Sequence, residues 1–279
     1  MRYFSFYAKI LDKIEFKCYH KVSKKVATPP KNIIIKWRNA MQPIKIDNKN
    51  CKMVAHRGVS GVEKENTCPA FVTAGTRSYY GIETDVHVTK DGKYIVIHDD
   101  TTTRVTGVEY TVEETDFDVL RSLKVLDTDG VTTRSDLILP TLDDYINICK
   151  KHDKVSVLEL KNTMEEKHVI GIVETIKKLG WYEKTIFITF SKENVVYLRK
   201  NYADAQIQFL YWGNDPEFVD FMVEQKVDAD VGYGAIDKEY VDLLHSKGIK
   251  VNCWTVDNPE DAKRLIEYGV DFITSNILE

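Results

Sequence analysis

Short apolar runs alternate with amphipathic stretches along most of this 279-residue chain. Eight of the runs have the length and the β-branched and aromatic content of buried β-strands. They span residues 52–56, 81–86, 155–160, 185–190, 206–211, 228–232, 249–254 and 271–274. Between most of them apolar residues recur at helical spacing, which predicts helices over residues 68–77, 142–151, 165–179, 192–201, 215–225, 237–247 and 259–268.

Eight strands that alternate with helices indicate an α/β protein with a parallel sheet. Eight is also the number of strands that closes a TIM (β/α)8 barrel, and the chain has a suitable length. An open doubly wound sheet is the alternative, but no glycine-rich dinucleotide fingerprint follows the first strand. The pattern therefore predicts a TIM barrel.

Two parts of the chain depart from the regular alternation. Asp91-Gly92 is a strong hairpin signal, so we expect an extra antiparallel strand directly after the second barrel strand. Residues 99–140 contain no clear barrel helix and form an insertion, which we expect to shape the binding pocket. Only Ser275–Glu279 follow the last strand, so the eighth helix is missing.

The N-terminal residues differ from the others in charge. Residues 1–50 carry 12 Lys/Arg against 3 Asp/Glu, whereas residues 51–279 carry 27 against 40. Apolar residues at helical spacing between Tyr3 and Ile14, with lysines on another face, predict a basic amphipathic helix. We therefore expect a basic N-terminal arm over residues 1–50 and a barrel over residues 51–279. Residues 2–17 either lie on an anionic membrane or pack on the barrel in place of the missing helix.

The overall composition, with 43% hydrophobic and 29% charged residues, is that of a soluble globular protein. The five cysteines are scattered and form no C-x-x-C pair, which favours reduced thiols over disulfides or a cysteine-bound zinc. No stretch has the apolar length of a signal peptide or a membrane span. We expect a cytoplasmic protein, in which residues 2–17 pack on the barrel or, as the alternative, make peripheral membrane contact.

Charged side chains lie at the ends of the first and third predicted strands and along the second. They are His56 and Arg57, then Glu83 and Asp85, then Glu159 and Lys161. Residues two apart on a strand share a face, and the strand C-termini form the functional face of a TIM barrel, so these side chains converge. Three converging carboxylates repel one another unless a cation lies among them, and oxygen ligands favour Mg²⁺ or Ca²⁺. We therefore expect a divalent cation at Glu83, Asp85 and Glu159.

Two histidines complete this set. His56 ends the first strand, and His98 ends the apolar run that follows the Asp91-Gly92 turn. They supply an acid–base pair near neutral pH, while Arg57 and Lys161 neutralise a bound phosphate. A single histidine at a strand end is more often structural, but the joint occurrence of all these residues favours phosphate ester cleavage. The other histidines that we assessed are interpreted as non-catalytic: His87, His152, His168 and His245.

Several short motifs occur in order along the barrel. They are Ala55-His56-Arg57-Gly58, Glu65-Asn66-Thr67 with Ala70-Phe71, Ile82-Glu83-x-Asp85-Val86, Thr89-x-Asp91-Gly92, Ile97-His98-Asp99, Leu139-Pro140-Thr141-Leu142, Leu158-Glu159-Leu160-Lys161 and Trp254-Thr255-Val256. Together they resemble the glycerophosphodiester phosphodiesterase family, whose barrel is like that of phosphatidylinositol phospholipase C. The resemblance covers residues 53–274 and implies a metal-dependent TIM barrel that hydrolyses glycerophosphodiesters to sn-glycerol 3-phosphate and an alcohol.

The resemblance also implies a role for eight side chains. The metal ligands would be Glu83, Asp85 and Glu159, the acid–base pair His56 and His98, the phosphate-binding residues Arg57 and Lys161, and an apolar pocket wall Trp254. In two places the chain departs from the family: Lys64 replaces a usual proline, and Ser275-Asn276 stand where Asp-x-Pro is common.

Other functions remain open at this point. The first alternative is a lysophospholipase D that acts on lysophospholipid head groups, and the second is a non-catalytic phosphodiester-binding protein. We expect a small-molecule substrate and no nucleic acid partner. The sequence does not identify the released alcohol, the choice between Mg²⁺ and Ca²⁺, which histidine is the acid, or the oligomeric state.

Overall fold

Eight parallel strands close into a barrel in the computed structural model, which describes residues 42–279. Together with one added antiparallel strand, β3, they are β1 (Lys52–Ala55), β2 (Gly81–Val88), β3 (Tyr94–Val96), β4 (Val155–Leu160), β5 (Thr185–Thr189), β6 (Gln206–Tyr211), β7 (Asp228–Gly232), β8 (Val251–Trp254) and β9 (Phe272–Ser275). Because β1 pairs in parallel with both β2 and β9, the barrel has no open edge between its first and last strands. The predicted TIM barrel is confirmed.

Within the described residues, seven helices lie between the barrel strands at nearly the positions that the sequence predicts. Together with two short helices of the insertion, α2 and α3, they are α1 (Cys68–Gly75), α2 (Thr103–Thr106), α3 (Phe117–Ser122), α4 (Leu142–Lys151), α5 (Glu166–Lys178), α6 (Lys192–Asn201), α7 (Pro216–Gln225), α8 (Lys238–Ser246) and α9 (Pro259–Tyr268). Local signals fix their ends. Thr141 and Asp144 form a capping box at the start of α4, and Gly269 ends α9 with φ of 94°.

The interior of the barrel is packed with side chains from alternate strand positions. Its apolar part consists of Val54, Val157, Ile186, Ile188, Leu210 and Phe272. A larger apolar cluster lies between the strands and the surrounding helices. The packed interior leaves the C-terminal ends of the strands as the place where polar side chains gather.

The segment between β2 and α4 adds a hairpin and a compact insertion to the barrel. Gly92, with φ of 75°, allows the tight turn that lets β3 run antiparallel to β2, as predicted. Residues 99–140 contain only the short α2, α3 and one 3₁₀ turn. With Ile95 and Ile97 from the hairpin, they nevertheless form a separate apolar core, whose other members are Val105, Val112, Leu120, Val125, Leu137 and Leu139. The insertion is therefore a packed unit beside the barrel mouth.

No helix follows β9 in the described part of the chain, as expected. The last residues pair instead with the segment that precedes β1. Ile44 and Ile46 donate backbone hydrogen bonds to the carbonyls of Ile277 and Glu279, at 2.8 and 2.9 Å, and Leu278 is fully buried. Residues 42–50 were predicted to belong to the basic arm, but the backbone hydrogen bonds of Ile44 and Ile46 join this segment to the barrel.

Residues 2–17, for which we predict an amphipathic helix, lie outside the described residues. Within residues 42–279, no helix is both long and apolar enough to cross a bilayer. The four cysteines in this range are free thiols.

We predict that the C-terminal tail contributes to the stability of the barrel. Leu278→Ala should lower the free energy of unfolding by about 2–5 kcal/mol, because it removes a buried side chain from the core. Chemical denaturation measures this change. Leu243→Ala, the same substitution at a position that is 44% exposed, is the control and should cost less than about 1 kcal/mol. Equal losses for the two variants would contradict the role of the tail.

Candidate active site

Three buried carboxyl groups meet at the C-terminal end of the barrel. Glu83 and Asp85 point inward from β2, and Glu159 points inward from β4, where it is in register with Asp85. One oxygen from each carboxyl lies within 4.8 Å of the others. Oδ1 of Asp85 is buried and accepts no hydrogen bond. This is the oxygen-rich arrangement that a hard divalent cation requires.

Two cationic side chains flank the carboxyl cluster. Nζ of Lys161 lies 2.9 Å from Glu159 Oε1 and 3.7 Å from Asp85 Oδ1, and Nε of Arg57 lies 3.7 Å from Asp85 Oδ2. Burial opposes the ionisation of Asp85, but Arg57 and Lys161 outweigh it and hold the pKa of Asp85 below its usual range. Burial and the charge of Asp85 together raise the pKa of Glu83, and they raise that of Glu159 to about 8. The two protein cations thus compensate only part of the negative charge, and the cluster fits a bound metal ion.

The backbone after β1 is shaped to serve this cluster. Arg57 has φ of 52°, a left-handed conformation that few side chains adopt, and its N–H donates to Glu83 Oε2 at 2.7 Å. The next residue, Gly58, lies so close to α1 that a Cβ would come within 2.7 Å of the Ala70 Cβ. Asn66 donates to Asp85 Oδ2 at 2.7 Å and fixes the second carboxylate. The local chain geometry therefore orients the carboxylates before any ligand arrives.

His56 is held by a residue from the end of the chain. Its Nδ1 lies 2.7 Å from Oδ1 of Asn276. The Asn276 amide nitrogen donates to Asp257, so its oxygen is the atom that faces the histidine. Nδ1 of His56 must then carry the proton, which leaves the Nε2 lone pair free on the side of Glu83, 3.9 Å away. Burial, with Arg57 nearby, lowers the pKa of His56 to about 4.

His98 has a different partner. Its Nδ1 lies 2.7 Å from the Asp99 carboxylate, which in turn accepts a 2.6 Å hydrogen bond from Arg104 Nε. The other two nitrogens of Arg104 donate to Glu65, which also binds Arg57. Burial disfavours the charged imidazole and lowers the pKa of His98. This chain of ion pairs joins the insertion to the barrel and aims His98 Nε2 at the cavity.

His87, which is interpreted above as non-catalytic, supports the loop that contains His98. It is fully buried, with Nε2 3.3 Å from the His98 carbonyl and Nδ1 3.1 Å from Glu113. It does not line the cavity that contains His56 and His98. Its contacts are those of a residue that positions the histidine loop.

The other half of the barrel mouth is apolar. A cavity of about 420 Å³, which includes part of its open end, lies between the charged cluster and the side chains of Ile188, Phe190, Leu210 and Trp254. The Trp254 ring meets Phe190 edge-on at 5.7 Å and Trp212 at 4.4 Å. Trp212 lies across Gly232, where a Cβ would come within 2.3 Å of its ring. Trp254 thus forms an apolar wall, as expected from the sequence.

The structure brings together all eight side chains that the sequence analysis selected. Other residues of the site had no predicted role, among them Arg104, Asp230, Asp257 and Asn276. Arg104 lies in an insertion without periodicity, and Asn276 lies where the chain departs from the family pattern. The signals for both are contacts between segments that are distant in sequence.

Comparison with known proteins identifies the family. The model of the glycerophosphoryl diester phosphodiesterase family matches residues 56–278. The glycerophosphodiester phosphodiesterase of Caldanaerobacter subterraneus subsp. tengcongensis is 30% identical over 232 residues, which are 80% of this chain and 93% of that protein. The enzyme of the same name from Bacillus subtilis is 30% identical over 247 residues, 80% of this chain and 82% of its own length.

Solved structures show the same fold. An Oleispira antarctica phosphodiesterase, solved in complex with the product sn-glycerol-3-phosphate, superposes with a TM-score of 0.74 at 21% identity, over 84% of this chain and 96% of that one. A glycerophosphodiester phosphodiesterase from Thermotoga maritima superposes with a TM-score of 0.65 at 25% identity, over 81% and 94% of the two chains. The protein therefore belongs to the glycerophosphoryl diester phosphodiesterase family.

Proposed function

We infer that the protein hydrolyses glycerophosphodiesters to sn-glycerol 3-phosphate and an alcohol. The observation that carries this conclusion is one cavity that holds three converging carboxyl groups, two histidines with free Nε2 atoms and two cationic side chains. A phosphodiester needs charge neutralisation, a base for the attacking hydroxyl and an acid for the leaving alkoxide. Each of these needs has a candidate side chain in this cavity.

We propose that Glu83, Asp85 and Glu159 hold one divalent cation, either Mg²⁺ or Ca²⁺. When bound, the cation supplies Lewis acid chemistry that stabilises the negative charge on the phosphoryl oxygens. The protein contributes three oxygen ligands and the hydrogen bonds from Arg57 N and Asn66 that fix two of them. Oxygen ligands alone favour these hard cations over zinc.

We assign the two histidines by the chemistry of their partners. His56 donates from Nδ1 to a neutral amide, so it is suited to accept a proton at Nε2 from the attacking hydroxyl. His98 faces the carboxylate of Asp99, which stabilises an imidazolium, so it is suited to protonate the leaving alkoxide. The attacking hydroxyl belongs to water or to the glycerol of the substrate. Arg57 and Lys161 would bind the phosphate oxygens beside the cation.

Lysophospholipase D activity is a second candidate, and one observation favours it. Phe190 and Trp212, at the open end of the cavity, are 45% and 63% exposed. Large aromatic rings beside an active site offer an apolar surface to an acyl chain. The same cavity chemistry would then act on a lysophospholipid.

We also propose a cytoplasmic location with peripheral membrane contact through residues 2–17. This proposal is supported by the positive charge of residues 1–50, which contain 12 Lys/Arg and only 3 Asp/Glu. Such a segment is attracted to anionic lipid head groups. This location would place the enzyme near the products of phospholipid breakdown.

Metal dependence and substrate class are tested together. We predict that glycerophosphocholine and glycerophosphoethanolamine are hydrolysed, that a chelator abolishes turnover, and that Mg²⁺ or Ca²⁺ restores it. Lysophosphatidylcholine micelles are assayed in parallel, and faster turnover of the micelles would favour the second candidate.

Glu159→Gln should abolish turnover at every metal concentration. Glu174→Gln, on the outer helix α5, is the matched control. Full turnover in the presence of chelator would contradict the metal site.

The histidine assignment predicts graded losses of turnover. His56→Ala and His98→Ala should each lower kcat by about 10²–10⁴-fold. Asn276→Leu removes the acceptor that orients His56 and should lower kcat by about 10–100-fold with little change in KM. Asn276→Gln, which keeps both an amide oxygen for His56 and an amide donor for Asp257, should recover part of the activity. Asn201→Leu, at the exposed end of α6, is the control. Wild-type kcat in Asn276→Leu would refute the positioning role.

Deletion of residues 1–22 tests the arm. If the arm binds membranes, the truncated protein keeps its turnover of soluble glycerophosphocholine but sediments less with anionic liposomes than the full chain. The lost binding should be sensitive to salt, because it depends on lysine charges. Lower thermal stability with unchanged liposome binding would instead support packing of the arm on the barrel.

A further inference from the structure

One acidic side chain of the cavity has no partner in the protein. Asp230, on the inward face of β7, is 1% exposed and lines the same cavity as His56 and Trp254. Its Oδ1 is buried without a hydrogen bond. Burial, with Glu159 nearby, raises the pKa of Asp230 well above its usual range. A buried acid without a partner is costly, which suggests that it serves a ligand.

Asp230 does not belong to the metal cluster. The oxygens that converge within 4.8 Å come from Glu83, Asp85 and Glu159 and do not include those of Asp230. Its neighbours in the adjacent strands are Leu210 in β6 and Asn252 in β8. Asn252 already donates to Gln208 and accepts from Thr274, so it has satisfied partners of its own. The free oxygens of Asp230 therefore face the cavity from its apolar side.

The two ends of the cavity differ in the room that they leave for a substrate. Ile188, Leu210 and Asp230 are 3%, 4% and 1% exposed, and they enclose the inner end. Phe190, which lines the cavity and is 45% exposed, marks its open end, and Trp212 packs on Trp254 behind it. A glycerophosphodiester has one constant part, the glycerol, and one variable part, the alcohol. The enclosed end suits the small constant part, whereas the open end accommodates alcohols of different size.

We propose that Asp230 binds the two free hydroxyls of the substrate glycerol and thereby selects deacylated glycerophosphodiesters. The inference rests on the proposed function. The two oxygens of one carboxyl group match a vicinal diol, as an acceptor pair when ionised or as a donor and an acceptor when protonated. An acyl ester on the glycerol removes one of these hydroxyls and adds a chain that the enclosed end has no room for. Asp230 is thus a specificity-determining residue for the glycerol side of the substrate.

The test removes one hydroxyl and the carboxyl in turn, and it keeps the 2-hydroxyl because that group is itself a candidate for the attacking hydroxyl. Wild-type enzyme and Asp230→Leu are assayed with glycerophosphocholine, with glycerophosphoethanolamine and with the 1-deoxy analogue of glycerophosphocholine. We expect the wild type to lose about 10–100-fold in kcat/KM with the analogue. Asp230→Leu should show a similar loss with the two glycerophosphodiesters and no further loss with the analogue. Asp230→Asn, which keeps an acceptor and a donor, should recover part of the discrimination.

Asp228→Leu is the matched control, because it makes the same change on the same strand at the far end from the cavity, where Asp228 accepts a hydrogen bond from Lys250 N. It should keep the wild-type discrimination. Asp230→Leu should unfold at the same temperature as the wild type or higher, because it removes a buried acid without a partner. A lower unfolding temperature together with equal losses on all three substrates would show a purely structural role and overturn the proposal.

Two further readouts separate this proposal from the proposed function. Calorimetry compares the binding of sn-glycerol 3-phosphate and n-propyl phosphate, which differ only in the two hydroxyls. The wild type should prefer the former by at least about tenfold, and Asp230→Leu should lose this preference. If no glycerophosphodiester is hydrolysed, the proposed function fails, while this binding preference still tests Asp230. If lysophosphatidylcholine is hydrolysed as fast as glycerophosphocholine, the selection by Asp230 is refuted.

Discussion

The repulsion among three carboxyl groups in the barrel mouth is the constraint on which the rest of the site depends. Glu83, Asp85 and Glu159 are all buried, in a region where water screens their charges poorly. Lys161 and Arg57 reduce the repulsion at Asp85, whereas the raised pKa values of Glu83 and Glu159 show where negative charge remains uncompensated. A scaffold that is closed and packed through its interior can hold such a cluster together, because no strand can separate without breaking ladders on both sides.

The supporting residues divide the histidines into two chemically different groups. An amide orients His56, and a carboxylate within a chain of ion pairs orients His98. The first support comes from the last residues of the chain and the second from the insertion. Each of the two imidazole rings is therefore oriented by a segment outside the regular strand–helix repeat. The repeat supplies the frame, and the irregular segments supply the orientation.

How far the sequence predicts this protein depends on whether the signal is local. Periodicity and short motifs predict the strands, the Asp91-Gly92 hairpin and the residues at the ends of β1, β2 and β4. The contact between His56 and Asn276 spans 220 positions, and no local pattern indicates it. Asp228 and Asp230 lie on the same face of β7, because they are two residues apart. Asp228 accepts a hydrogen bond and Oδ1 of Asp230 does not, and this difference follows from their positions along the barrel, which the sequence does not indicate. The pairing of residues 44 and 46 with the chain end is likewise a tertiary contact.

The last five residues have two duties that are usually found in separate parts of a barrel enzyme. Asn276 orients His56, and Leu278, two residues later, fills the core where no helix follows β9 in the described residues. Local opening of residues 275–279 would release His56 while the remaining strands stay paired. The packing of Leu278 and the alignment of His56 are therefore coupled, so a change in the core at this point would act on the cavity without touching any residue that lines it.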